Sequence, residues 1–197
     1  MPSVTYVPTC SGATGAEELE QFYHRYFVDS IPSTLETTLL SRTVDADRVV
    51  DEIFVSFKHA KEMPWILPGV PPTNKRVEIV LVSIVAFQGG KLHHEHVYWD
   101  QASVLVQVGL LDPKVVPQSA REKGVQRLPV VGRKAARRVF GSVSEAEDVE
   151  TNGLIRAVET GDGHAYGKKG SVENGQEGEP KQKVAEQKEG EEQNGGA

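Results

Sequence analysis

The stretch that decides the fold is GGKLHHEHVYWDQASVLVQVGLLD, residues 89–112. Its two glycines predict a tight turn, the following residues alternate as in a strand, and the period becomes helical from Ala102 onward. Nowhere else does the chain place so many titratable and aromatic side chains in so few residues. We therefore expect this strand-to-helix segment to lie at the centre of any chemistry.

Strict alternation divides the titratable side chains of this strand between two faces. One face receives Leu92, His94, His96, Tyr98 and Asp100, and the other receives His93, Glu95, Val97 and Trp99. Three histidines and a glutamate suggest a metal site, but only His94 and His96 are neighbours on one face, so a polar rim or an interface is favoured and no metal is expected. Asp100 lies where the strand gives way to the helix, as a general acid/base at a cavity edge would, or as the N-cap of that helix.

The rest of the body shows the same change from helical to strand periodicity. Residues 4–7 predict a short strand ended by Pro8, and SGATG predicts a turn before a helix over 16–27 that carries Leu19, Phe22, Tyr23 and Tyr26 on one side. Residues 35–42 and 49–57 predict one antiparallel hairpin, and 76–87 pairs with the opening stretch in a second. After a proline-punctuated strap over 112–129, residues 132–140 predict a short helix.

This order of elements predicts an α+β domain over residues 1–112, in which a helix packs on a curved antiparallel sheet that forms a cone. The mouth of such a cone is a common small-molecule site. Residues 113–141 form the basic strap and short helix. From residue 142 to 197 hydrophobic residues become sparse, which predicts a disordered acidic tail with at most a nascent helix over 153–159.

The net charge lies in the tail, since residues 142–197 carry 13 acidic and 6 basic side chains, a net −7, against −6 for the whole chain. The near-neutral body therefore says little about partners. Cys10 is the only cysteine, which excludes an internal disulfide and fits a reducing compartment. Because no leader-like segment opens the sequence and no apolar run approaches the roughly 18 residues of a membrane helix, we expect a soluble, cytoplasmic protein.

The segment 114–138 is basic, yet it lacks the interleaved aromatic side chains on which bases stack. A solvated helix face offset by the acidic tail explains it better than a nucleic-acid or localisation patch. Nucleic acid is therefore not expected as a partner.

Two carboxylates and two other residues of the body are further candidates. Asp51 and Glu52 interrupt an apolar strand, so one of them points towards the core, where burial would raise its pKa; alternatively, one faces solvent and the other pairs with an arginine across the hairpin. His59 ends the same strand, and Trp65 in the proline loop could cover a pocket, although both are also common structural residues.

These residues resemble the nuclear transport factor 2-like superfamily, in particular its SnoaL-like polyketide cyclase branch. The resemblance rests on H-x5-W-x2-P-G-x2-P-T-x-K-x-V-E over residues 59–78, G-K-L over 90–92, and D-x6-Q-x-G over 100–109. It covers residues 3–112, with 132–140 as a candidate extension. That fold usually opens with two further helices, so the resemblance implies a cone that is incomplete at the N-terminus.

The resemblance also implies a function. In the cyclases an aspartate at the end of this strand acts as general acid/base in ring closure, without cofactor or metal, and by position that role falls on Asp100. Its candidate partners are His59, Glu95 and Tyr98. The expected substrate is an apolar or aromatic metabolite, bound by Glu52, Trp65, Trp99, Phe22 and Tyr26. Cyclisation, isomerisation and hydration all fit such a site.

Two other hypotheses remain open. A non-catalytic ligand-binding or dimerisation module would use the same fold, with a homodimer formed through the sheet face. A truncated remnant without independent function is the weaker one. A closed pocket around Asp100 favours the enzyme, whereas Asp100 as a helix cap at the surface favours the module.

Overall fold

The structure is a computed structural model that describes residues 1–144 and 151–159. Its strands form one six-stranded sheet in the order β2-β1-β6-β5-β4-β3. The strands are β1 (Ser3–Tyr6), β2 (Ser11–Thr14), β3 (Glu36–Val44), β4 (Arg48–Lys58), β5 (Arg76–Gln88) and β6 (Lys91–Trp99). The helices are α1 (Ala16–Phe22), α2 (Gln101–Val108), α3 (Gln118–Arg121), α4 (Lys134–Ser144) and α5 (Gly153–Glu159). The predicted α+β class, with helices packed on a curved sheet, is confirmed.

The β3–β6 meander follows the sequence pattern closely. Both predicted hairpins are present, and β4 pairs with β5 over its whole length, from Arg48 opposite Ala86 to Lys58 opposite Arg76. The β-branched residues of β5 explain why this strand is the longest. Alternation in β6 is also confirmed up to a register shift near its start, which leaves His93 without a cross-strand partner.

The N-terminal strands correct two sequence predictions. The predicted SGATG turn is instead largely strand β2, and β1 pairs in parallel with β6, so the sheet is mixed and not purely antiparallel. Gly12 permits the tight approach of β2 to β1, because a Cβ at this position would lie 1.9 Å from the carbonyl oxygen of Val4. Its positive φ of 141° also disfavours other residues.

The predicted helix over 16–27 is present but changes its winding. It is α-helical to Phe22, continues as a π-helical turn over Tyr23–Phe27, and closes with a 3₁₀ turn over Val28–Ser30. The Ser30 hydroxyl donates to the carbonyl oxygens of Tyr26 and Phe27, each at 2.9 Å, which satisfies acceptors that the helix end leaves open.

Cross-strand register divides the sheet into two faces. The inner face carries α1 and the proline loop, and its central side chains, among them Tyr6, Phe57, Val77 and Val97, are buried. The outer face carries α4, where Phe140 stacks on Phe54 at 4.5 Å between ring centroids.

Helix α2 extends the sheet where β6 ends. The Gln107 side chain accepts from the backbone N–H of Glu78 at 2.8 Å and donates to its carbonyl oxygen at 3.0 Å, as a neighbouring strand would. The Glu78 carboxylate in turn receives Arg137 of α4 at 2.6 and 3.1 Å. Thus β5, α2 and α4 are joined at one residue.

The predicted helix over 132–140 is α4, and α5 covers the segment in which a nascent helix was expected. The predicted strap over 112–129 contains one short helix, α3. Most of the predicted acidic tail, 142–197, lies outside the described residues.

Candidate functional site

A carboxylate with two hydroxyl donors lies on the inner face. Tyr23 of the π-helical turn donates to Glu95 Oε2 at 3.0 Å, and Ser83 of β5 donates to Glu95 Oε1 at 2.8 Å. Glu95 and Tyr23 are half-buried, whereas Ser83 is buried. Two neutral donors therefore hold this carboxylate in one orientation on the inner face.

The nearby tyrosines remain protonated. Burial and the neighbouring Glu95 carboxylate raise the pKa of Tyr23 well above its usual range. Burial, with Tyr23 and Glu95 nearby, raises the pKa of Tyr6 in the same direction. The Tyr23 hydroxyl therefore remains a hydrogen-bond donor throughout the physiological pH range.

An aromatic cluster borders the carboxylate on the side of β1. The Tyr6 ring lies 5.5 Å from Phe22, 5.8 Å from Trp65 and 6.1 Å from Trp99, measured between ring centroids. Gln101 fixes two parts of this cluster, since it accepts from the Trp99 indole and donates to the carbonyl oxygen of Ile66. Three predicted substrate-binding residues, Phe22, Trp65 and Trp99, thus meet in one buried wall.

On the other side of Ser83 the inner face is more open. Four apolar residues of β4 and β5, which we call the open floor, are only half-buried: Val49, Ile53, Leu81 and Val85. Asp51 lies among them, opposite Ser83 in the strand register. Arg42 of β3 binds it at 2.6 and 2.7 Å, which lowers the pKa of Asp51. This ion pair matches the alternative left open by the sequence, in which one of the two carboxylates pairs with an arginine across the hairpin.

Asp100 caps α2 at the protein surface. Its Oδ1 accepts from the backbone N–H of Ser103 at 3.0 Å, and its Oδ2 accepts from the Ser103 hydroxyl at 2.5 Å. Asp100 also borders a half-open pocket of about 100 Å³ between α2, α4 and β5. That volume is well below the roughly 300–1,000 Å³ of pockets that enclose drug-sized ligands.

His59 is a core residue at the end of β4. It is 0% exposed, and Nδ1 accepts from the backbone N–H of Thr73 at 3.2 Å. Because Nδ1 is the acceptor, the proton of the neutral ring lies on Nε2, which has no hydrogen-bond partner within the described residues. Burial lowers the pKa of His59, so the ring is neutral at pH 7.

The other predicted site residues lie elsewhere. Tyr98 is 40% exposed on the outer face, where it extends a row of stacked rings formed by His94 and His96. Glu52 is also on the outer face and accepts from Ser41 at 3.3 Å. Tyr26 is exposed on the π-helical turn. Tyr98 and Glu52 therefore project to the face opposite to Glu95, whereas the Tyr26 ring lies 6.2 Å from that of Phe22.

Within residues 1–144 and 151–159, no set of three or more His, Cys, Asp or Glu side chains is arranged to hold a metal ion. In the same part of the chain, every helix is too short or too polar to cross a membrane.

Sequence reasoning did not single out Tyr23 and Ser83 as site residues. Tyr23 fits the apolar side of a helix, and only its hydroxyl distinguishes it from a core residue. Ser83 did give a signal, because it is the single hydroxyl in the apolar run of β5 and strand alternation places it on the inner face.

Comparisons with known proteins concern the fold. No family model matches the chain, and no curated protein matches it. Among solved structures it is similar to a candidate SnoaL-like polyketide cyclase from Jannaschia sp. CCS1, with 17% identity, a TM-score of 0.46, and coverage of 56% of this chain and 72% of that one. It is also similar to AclR, a candidate hydroxylase from Streptomyces galilaeus, with 23% identity, a TM-score of 0.43, and coverage of 62% and 74%.

A third similar structure is a hypothetical protein with a ketosteroid isomerase-like fold from Catenulispora acidiphila, with 17% identity, a TM-score of 0.42, and coverage of 59% of this chain and 78% of that one. The name of one of these three proteins includes the SnoaL-like branch that the sequence motifs resemble. The likeness extends to the fold alone.

Proposed function

We propose that the protein binds a small apolar or aromatic metabolite on the inner face of its sheet and transfers protons on it with Glu95, without a cofactor. The observation that carries this proposal is the Glu95 carboxylate, held between Tyr23 and Ser83 at the boundary of the aromatic wall and the open floor. A base on an apolar surface is suited to removing a proton from a carbon next to a carbonyl group.

The proposed step uses two groups of this site. Glu95 takes the proton from the carbon, and the C–H electron pair moves into the enolate. The Tyr23 hydroxyl, which its raised pKa keeps protonated, turns from Glu95 Oε2 to donate to the enolate oxygen. Glu95 then returns the proton to another carbon in an isomerisation, or to the alkoxide formed when the enolate carbon attacks a second carbonyl group in a cyclisation.

This proposal moves the acid/base role from Asp100 to Glu95. Asp100 already uses both carboxylate oxygens to cap α2, and the pocket beside it is small. Glu95 was predicted only as a partner of that aspartate, yet it lies against the aromatic wall. The role of Asp100 in catalysis stays a prediction, and the experiment below compares the two carboxylates directly.

The test uses 2-tetralone, an aromatic bicyclic ketone with exchangeable protons next to its carbonyl group. In D₂O, NMR measures the rate at which the protein catalyses exchange of these protons. We expect Glu95→Gln to lower the catalysed rate by about 10²–10⁴-fold, the usual contribution of a general acid/base. Asp100→Asn is the matched control and should change the rate less than about threefold if its role is capping.

If Asp100→Asn removes the exchange and Glu95→Gln does not, the assignment to Glu95 is wrong and the sequence-based assignment is right. Tyr23→Phe should lower the rate, because it removes both the donor to the enolate and one of the two hydroxyls that orient Glu95. It should leave binding of 2-tetralone nearly unchanged, because the aromatic ring stays in place.

A non-catalytic binding module is the second candidate. It is favoured by Asp100, which lies at the surface as a helix cap in the arrangement expected for such a module. This alternative predicts that 2-tetralone binds on the inner face, with chemical-shift changes at Tyr23 and Leu81, while its protons exchange no faster than in buffer.

A further inference from the structure

A row of polar side chains crosses the inner face from β3 to β6. Arg42 lies opposite Asp51, and Asp51 lies opposite Ser83, whose hydroxyl donates to Glu95. Residues directly opposite one another in a sheet project to the same face. A cation therefore marks one end of this row and a carboxylate marks the other.

One edge of the Arg42 guanidinium group is hydrogen-bonded, and the other edge is exposed. Its Nε and Nη2 donate to the two oxygens of Asp51 at 2.6 and 2.7 Å, and Nη1 donates to no atom of the described residues. The Arg42 side chain is 52% exposed, against 13% for Asp51. The Nη1–Nη2 edge therefore offers a planar pair of N–H donors, which matches the two oxygens of a carboxylate.

The open floor connects this edge to Glu95. Ile53 and Leu81 lie on one side of the polar row, and Val49 and Val85 lie on the other. Arg42 on β3 and Glu95 on β6 are three strand spacings of about 4.8 Å apart, or roughly 14 Å at the backbone. Both side chains reach inward, Arg42 to Asp51 of β4 and Glu95 to Ser83 of β5, so the remaining space suits a fused-ring molecule with one substituent. The half-buried floor leaves apolar surface that such a molecule would cover.

The two ends of the polar row also determine how a bound ligand would be oriented. At the β3 end Arg42 and Asp51 form a neutral pair that keeps N–H donors on the outer guanidinium edge, whereas Glu95 is hydrogen-bonded by two neutral hydroxyls. An anionic ligand group is therefore repelled by Glu95 and accepted by Arg42, so it lies at the β3 end. We propose that the inner face selects aromatic carboxylic acids, whose ring system covers the open floor, whose carboxylate binds Arg42, and whose uncharged end points to Glu95. This inference rests on the proposed function for the location of the site and adds the class of substrate.

The test compares 2-naphthoate with 2-naphthamide, which share a ring system and differ in charge. Titration calorimetry at pH 7 and low salt measures both affinities. We expect the wild-type protein to bind the naphthoate more tightly, and Arg42→Gln to weaken it about tenfold, the equivalent of one charge-assisted hydrogen bond. The naphthamide affinity should change less than about twofold.

Two further variants distinguish an effect of the Arg42 N–H donors from an effect of the net charge. Arg42→Gln with Asp51→Asn keeps the net charge and should show the same loss, because the donors are gone. Arg48→Gln is the matched control, since this arginine lies at the same end of the sheet but on the outer face, near His94. It should leave both affinities within about twofold.

The outcomes are distinguishable. If Arg42→Gln leaves the naphthoate affinity unchanged, or Arg48→Gln lowers it as much, the carboxylate site is overturned while the inner-face site stands. If neither probe binds the wild-type protein, both the substrate class and the proposed function fail. Arg42→Lys retains the cation, so an intermediate loss supports the planar donor pair even where the glutamine variant folds poorly.

Discussion

At the scale of single residues, most of the motif positions have structural roles. Asp100 caps α2, Gln107 completes the edge of β5, Glu78 anchors α4, and His59 holds the proline loop through Thr73. Such contacts suffice to explain the spacing of the motif. The residues of the proposed chemistry, Glu95 above all, lie outside these contacts.

His59 should make stability depend on pH. Its pKa in the folded protein lies below the ordinary 6.5, so the unfolded chain takes up a proton first as the pH falls. The free energy of unfolding should therefore decrease from pH 7 towards pH 5, and this loss continues down to the folded-state pKa.

Chemical denaturation of wild type and His59→Asn at several pH values measures this effect. The variant should show a shallower decrease over the same range. His24→Asn removes an exposed histidine of the π-helical turn and should keep the wild-type slope. Equal slopes in all three proteins would show that His59 does not cause the dependence.

At the scale of elements, α4 is held to the outer face by an ion pair with a buried member. Glu78 is 4% exposed and receives Arg137 in a bidentate contact, with Arg76 at 3.2 Å. The contact with Arg137 lowers the pKa of Glu78. Without Arg137, a buried carboxylate would lose its main partner.

Arg137→Gln should therefore lower the free energy of unfolding by about 1–3 kcal/mol. In a double-mutant cycle with Glu78→Gln, the second substitution should cost less than it does alone, because the contact is already lost. Urea denaturation of the four proteins gives the coupling free energy. Strictly additive effects would mean that this ion pair does not hold α4.

At the scale of the whole molecule, the outer face is divided. Helix α4 covers the part around Phe54, while Tyr98 and the stacked histidines of β6 remain at the surface. A homodimer through the sheet face, which the sequence suggested, stays a prediction. We expect it to use the β6 half of this face, because no helix within residues 1–144 and 151–159 packs on Tyr98.

Light scattering over a range of protein concentrations tests this prediction. Tyr98→Lys should weaken association by placing two like charges at the contact, and it should leave the fold intact because Tyr98 is exposed. Leu39→Lys, at an exposed position of the edge strand β3, is the control. A wild-type protein that is monomeric at every concentration would contradict the homodimer.

The sequence by itself determined the elements whose pattern is local. The alternation of β4, β5 and β6, the glycine turn, and the Asp100–Ser103 cap are local patterns, and each is found in the structure. Local spacing also assigned Glu95 to the face of Val97 and Trp99, opposite Tyr98, because strand parity depends only on neighbouring residues.

Only the tertiary structure decided which residues meet. Tyr23 and Glu95 are 72 positions apart, and their contact depends on where α1 crosses the sheet. The parallel pairing of β1 with β6 and the strand role of residues 11–14 depend equally on distant partners. A pattern read along the chain contains no information on such contacts, because they follow from packing. This is why the family resemblance, which rests on motifs along the chain, pointed to Asp100, whereas the proposal argued from tertiary contacts assigns the role to Glu95.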